Sequence, residues 1–147
     1  MSIEEVGSDN RSDFIDYCRK HRFDHDESWL SEHDLEAFDP AGSEDAALLF
    51  RDGSGRVRGA AALLLRPELR AAGKARFRIL HVEAELGEGL VATIYRGFVD
   101  ALAARAGKVE WLYLFLPEEL GKPAAILQGL GFSVERYAWL LERELGQ

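Results

Sequence analysis

With 147 residues, 47% of them hydrophobic and 10% aromatic, the chain has the material for one domain spanning 1–147 with a core of its own. Its 18 basic and 26 acidic residues leave a formal charge of -8, which works against nucleic acid and anionic membranes as partners and favours cationic ones. A single cysteine, Cys18, excludes an internal disulfide or a cysteine-rich zinc site, and an acidic N-terminus with only short apolar runs predicts a soluble, cytoplasmic protein without a membrane span.

Residues 12–21 carry Phe14, Ile15, Tyr17 and Cys18 at helical spacing, and a second helix is expected from Asp26 to about Phe38, before Asp39-Pro40 stops it. His21 and His25 stand four apart, so one helical face could turn both toward a metal. No third ligand follows at a recognisable spacing, and no metal is expected. Cys18 reads as a buried small hydrophobe.

Residues 46–50 and 57–65 are apolar strands joined by RDGSGR, whose Asp-Gly and Ser-Gly pairs signal a hairpin. Residues 75–83 alternate, with Phe77, Ile79 and His81 on one face and Leu80 and Val82 on the other. A helix follows from about Leu90, where Ile94, Phe98 and Leu102 recur beside Val91, Tyr95 and Val99, and Gly107 closes it. Residues 109–116 form a strand, 123–130 a short helix closed by Gly131, and 132–143 a last strand region. The order describes an α/β or α+β domain with helices covering a mixed sheet.

Between the third strand and the long helix lies VEAELGEGLVA, with Gly87 and Gly89 one residue apart. A strand feeding a helix N-terminus through a short glycine loop leaves backbone N–H groups that can meet an anion, though a plain turn has the same composition.

DGSGRVRGAAALLL as a hairpin with Val-x-Gly at its entry, VEAEL running into a long helix, and AAILQGLGF ending a short one together resemble the GNAT acetyltransferase superfamily over nearly the whole chain. The resemblance implies a mixed, mostly antiparallel twisted sheet flanked by helices. It further implies acetyl-coenzyme A as co-substrate and direct transfer to a primary amine of a small molecule or peptide, and leaves a homodimer open. The family's strand end is followed by Q/R-x-x-G-x-G/A, whose N–H groups hold the pyrophosphate. In the preferred register Gly87 stands at the Q/R position, Leu90 at the central glycine and Ala92 at the last position. The other register puts Gly87 and Gly89 on the two glycines and Ala84 at Q/R. Val82, Gly87, Glu88, Gly89, Leu90, Val91 and Ala92 are the implied cofactor contacts.

The pattern is departed from in two ways. No positive or amide side chain stands at Q/R, and Glu83, Glu85 and Glu88 add negative charge there. Leu127 occupies the place of a general-acid Tyr, and Leu120 that of an Asn. Acyl transfer needs a base for the amine proton, for which Glu83, Glu85 and His81 are candidates at the strand end, while Tyr137 and Tyr113 are candidate donors. The family's first two helices wall the acceptor site, so Asp24, Asp26, Glu27, Glu32, Asp34 and Glu36 would favour cationic amines, and Trp29 could pack on the acceptor. The alternative is a GNAT-like domain without catalysis, acting as a binding or dimerisation module.

Overall fold

The computed structural model describes residues 2–24, 29–42, 44–116, 121–136 and 140–145. Strands β1 (Ser2–Glu5), β2 (Asp45–Arg51), β3 (Val57–Leu64), β4 (Lys74–Val82), β5 (Trp111–Phe115), β6 (Ser133–Arg136) and β7 (Leu140–Glu144) form one seven-stranded sheet in the order β1-β2-β3-β4-β5-β7-β6. Only β4 and β5 pair in parallel; the other neighbours are antiparallel. The helices are α1 (Arg11–His21), α2 (Glu32–Ala37), α3 (Pro67–Ala71), α4 (Glu88–Ala106) and α5 (Gly121–Gly129).

The sheet separates two buried clusters. On one face Phe77, Leu80 and Val82 of β4 pack with Ile94, Tyr95, Phe98 and Leu102 of α4 and with Leu127 of α5. On the other, Ile79 of β4 and Ala60 and Ala62 of β3 meet Phe14, Ile15, Tyr17 and Cys18 of α1 and Leu35 of α2. Alternation along the strands sends successive side chains to these opposite faces, except at Arg78 of β4, where one extra residue puts Phe77 on the face of Leu80 and Val82 and not, as the sequence suggests, on that of Ile79. Among the described residues no helix is long and apolar enough to cross a membrane.

Four elements differ from the sequence expectation. Strand β1 has only Ile3 as an apolar signal, yet it pairs with β2 and is pinned where Arg51 meets Glu4 and, at 2.7 Å, Asp13. The second helix is shorter than expected, because Ser31 caps a helix beginning at Glu32 by accepting the Asp34 amide at 3.2 Å. Residues 25–28 lie outside the described set. Helix α3 starts with Pro67 at its first position, where the missing N–H costs nothing. The last strand region resolves into β6 and β7, with Tyr137 outside the described residues.

Two features of β4 position the site. Between the Leu63–Phe77 and Ala62–Ile79 pairs it carries one more residue than β3, Arg78, which forms a bulge. The guanidinium of Arg78 is 3% exposed and donates to Trp29 O at 2.9 Å and Asp45 Oδ1 at 2.8 Å. Pairing with β5 covers only Lys74 to Arg76, after which the strands part while β4 continues to Val82.

Candidate active site

Beyond the parting of β4 and β5 a cleft of about 620 Å³ lies between the start of α4 and α5. Val82, Val91, Ala92, Tyr95, Pro123 and Ile126 make its apolar walls, and Glu88, Gly89 and Lys122 line it as well. At its edge the chain makes a 3-10 turn over Ala84–Leu86 and enters α4 through Gly87, whose φ of 91° is the left-handed region that glycine adopts without strain. The amides of Glu88, Gly89 and Leu90 open the helix and have no carbonyl one turn earlier inside it to receive them. The positive ends of their dipoles face the cleft, which Lys122 and Glu88 line with charges of opposite sign. A Cβ at Gly87 or Gly89 would meet nothing within 4 Å, so the approach to these amides is open.

The conformation that requires a glycine therefore falls at Gly87. Leu90, at the central position of the preferred register, lies in the first helical turn and packs half-buried against the core. Lys122 is a cation that the sequence pattern did not reveal, because it comes from the other side of the cleft.

On the opposite face of the same strand end, β4 meets α1. Glu83 is 5% exposed and receives Arg58 Nε at 2.7 Å, His21 Nε2 at 3.1 Å and Lys20 Nζ at 3.4 Å. Burial pushes its carboxyl up, but the hydrogen bonds from His21 and Arg58 and the nearby Lys20 charge outweigh it and hold the group below its ordinary value. His21 stacks on His81 with ring centroids 4.3 Å apart, and its Nδ1 lies 2.8 Å from Asp24 Oδ2. Tyr17 stands 2.8 Å from His81 Nδ1 and donates to the Arg58 carbonyl at 3.1 Å. Burial, with the Glu83 charge adding to it, drives the Tyr17 phenol far up, so it stays protonated.

Of the predicted catalytic residues, Glu83 is thus buried among cations, and Glu85 is exposed on the 3-10 turn. Tyr113 sits on β5 opposite Arg76. Leu127 is fully buried in the core. Sequence reasoning passed over Tyr95, which reads as a packing residue of α4. It is 1% exposed and lines the cleft, with burial pushing its phenol up to about 12 against the pull of the Val82 amide. Tyr17 was also read as a helix position only, and His21 as one that could share a helical face with His25. Their partners lie 41 to 64 residues away, which no local periodicity reports. Trp29 stacks under the Arg66 guanidinium at 4.8 Å.

No protein-family model and no curated protein matches the chain. Solved structures do match its fold. An acetyltransferase of the GNAT family from Staphylococcus aureus Mu50 superposes with a TM-score of 0.72 at 11% identity, covering 99% of both chains. A GCN5-related N-acetyltransferase from Kribbella flavida gives 0.72 at 16% identity over 98% of this chain and 97% of that one. A spermidine N-acetyltransferase chimera from Vibrio cholerae and hSSAT gives 0.67 at 14% over 98% and 96%. The architecture is that of the GNAT fold.

Proposed function

We propose that the chain is an acyl-coenzyme A-dependent N-acyltransferase that uses acetyl-coenzyme A and transfers the acetyl group directly to a primary amine of a small molecule or peptide. The observation that carries this reading is the parting of β4 from β5 beside an open helix N-terminus, with a buried histidine–carboxylate cluster on the reverse of the same strand end. When bound, acetyl-coenzyme A supplies the thioester carbonyl.

In this reading the amides of Glu88, Gly89 and Leu90 and the Lys122 ammonium would hold the pyrophosphate. Val82, Val91, Ala92 and Tyr95 line the path of the amide-bearing arm toward the gap between the strands. The amine proton goes to His81. Because the Tyr17 hydroxyl donates to Arg58, its oxygen accepts His81 Nδ1–H, which leaves Nε2 as the basic nitrogen. Glu83 remains ionised and orients His21 against His81, while Glu85 is the exposed carboxylate that can take a proton through water. Tyr95, whose phenol burial keeps protonated, would be the donor for the thiolate that acyl transfer leaves, from among the residues lining the cleft. Tyr137 is the second candidate donor.

A binding or dimerisation module is the other reading, and Leu127, sealed in the core where the resemblance expects a phenol, favours it. Calorimetric titration with acetyl-coenzyme A and coenzyme A, followed by an acyl-acceptor panel, separates the two. The enzyme binds both cofactor forms and releases free thiol with an amine, with a stabilisation of about 2.7 kcal/mol at a hundredfold excess over Kd. Cofactor binding without turnover on any amine would establish the module, and no binding would overturn the enzyme reading.

A further inference from the structure

We propose that His21, Asp24 and His81 form a binding site for a divalent transition-metal ion of the zinc class. The ligand atoms, one from each residue, all lie within 4.8 Å of one another, with Asp24 Oδ2 at 2.8 Å from His21 Nδ1 and 4.0 Å from His81 Nε2. A tetrahedral ion about 2.0 Å from each donor needs them about 3.3 Å apart, so the set closes on a metal with shifts on the order of 1 Å. Asp24, exposed on the 3-10 turn Arg22–Asp24, can make that adjustment. Two imidazoles and one carboxylate suit zinc, cobalt and nickel, and leave a fourth position for water.

The outer shell supplies a second and independent argument. Each histidine has its remaining ring nitrogen held: His21 Nε2 by Glu83 at 3.1 Å, His81 Nδ1 by Tyr17 at 2.8 Å. This fixes the tautomers that turn His21 Nδ1 and His81 Nε2 toward Asp24, as the outer shell of a metal site does. His21 also lies between two carboxylates, Glu83 and Asp24. Glu83 holds Nε2, and Nδ1 faces Asp24. Lys20 and Arg58 pair with Glu83. The site does not depend on acyl transfer, but a metal in it occupies the His81 nitrogen assigned above to the amine proton.

The test is calorimetric titration of the full chain with zinc and, in parallel, cobalt absorption in the visible range. The expected result is one ion per chain, a cobalt spectrum of low coordination number, and at least tenfold weaker binding for Asp24→Asn and for His81→Ala. Glu83→Gln should weaken it about 10–100-fold through His21. Circular dichroism confirms that each variant is folded, and Asp24→Asn, an exposed change, keeps the test informative if His81→Ala is not. No uptake by the wild type would overturn the proposal. Uptake indifferent to Asp24 and His81 but lost in His25→Ala would overturn it as well.

Discussion

At Glu83 burial and partners pull in opposite directions, and the partners win. A carboxyl held below its unfolded value binds fewer protons in the folded state. Its stabilisation is therefore complete above the unfolded pKa and is lost as pH falls through the lower folded value. Glu83→Gln should lower the neutral-pH stability by about 1–3 kcal/mol, since His21, Arg58 and Lys20 lose a charged acceptor in a buried place. It should also flatten the acid limb of stability, and melting curves between about pH 3 and 7 would show both effects. If the variant keeps the wild-type slope in acid, another carboxylate carries that limb. Glu83 could be read in the sequence as a carboxylate at a strand end, but not as a buried one. Its burial depends on α1 bringing Lys20 and His21 across 62 to 63 residues of chain.

The start of α4 is an element whose existence was plain from its apolar spacing and whose exact register was not. Two glycines and a leucine compete for one role in the pattern, and only backbone dihedrals decide, since a positive φ leaves no mark on hydrophobic periodicity. Gly87→Ala forces a side chain into that region, at a cost of about 1–2 kcal/mol. It should weaken coenzyme A binding by disturbing the helix start, whereas Gly89→Ala, in open space, should leave binding within a few-fold. Leu90→Gly should not tighten binding. Its side chain packs toward the core, so removing it costs burial and helix propensity without clearing an approach. Calorimetry on the three variants would check the order, and tighter binding by Leu90→Gly would support the register that puts Leu90 at the central position. Strand β1 and helix α3 were illegible for a related reason: four or five residues carry too few apolar positions for a period. β1 exists because its partner strand and α4 are there. A Cβ on Gly97 would stand 2.7 Å from Ile3 Cδ1, so that glycine leaves room for the edge strand.

Over the whole molecule the sheet divides the hydrophobic core, and the order of long elements was enough to anticipate this layering. Leu102 and Phe14 are fully buried on opposite faces. Leu102→Ala should cost about 2–5 kcal/mol and Phe14→Ala about 3–5. Lacking shared partners, they should add in the double variant to within about 0.5 kcal/mol by denaturant titration. The charge of -8 is distributed less simply than the acidic run of the first helices suggests. Glu32 is gripped by Arg19 at 3.0 Å and Arg22 at 2.6 Å, Asp34 receives the Ser31 hydroxyl at 2.6 Å, and Asp24 faces His21. Glu32 is already neutralised by two arginines, so that part of the wall offers an incoming cation less field than a count of carboxylates implies. Replacing Glu32 and Glu36 by Gln together should therefore lower Tm slightly, through the loosened contact of α1 with α2. In the acyltransferase reading, kcat/KM for polyamines relative to a neutral amine should change less than about threefold, and added salt should reproduce only the small remainder due to net charge. A tenfold or larger loss confined to polyamines, mimicked by salt, would instead show that the acidic face captures the acceptor despite its internal pairing.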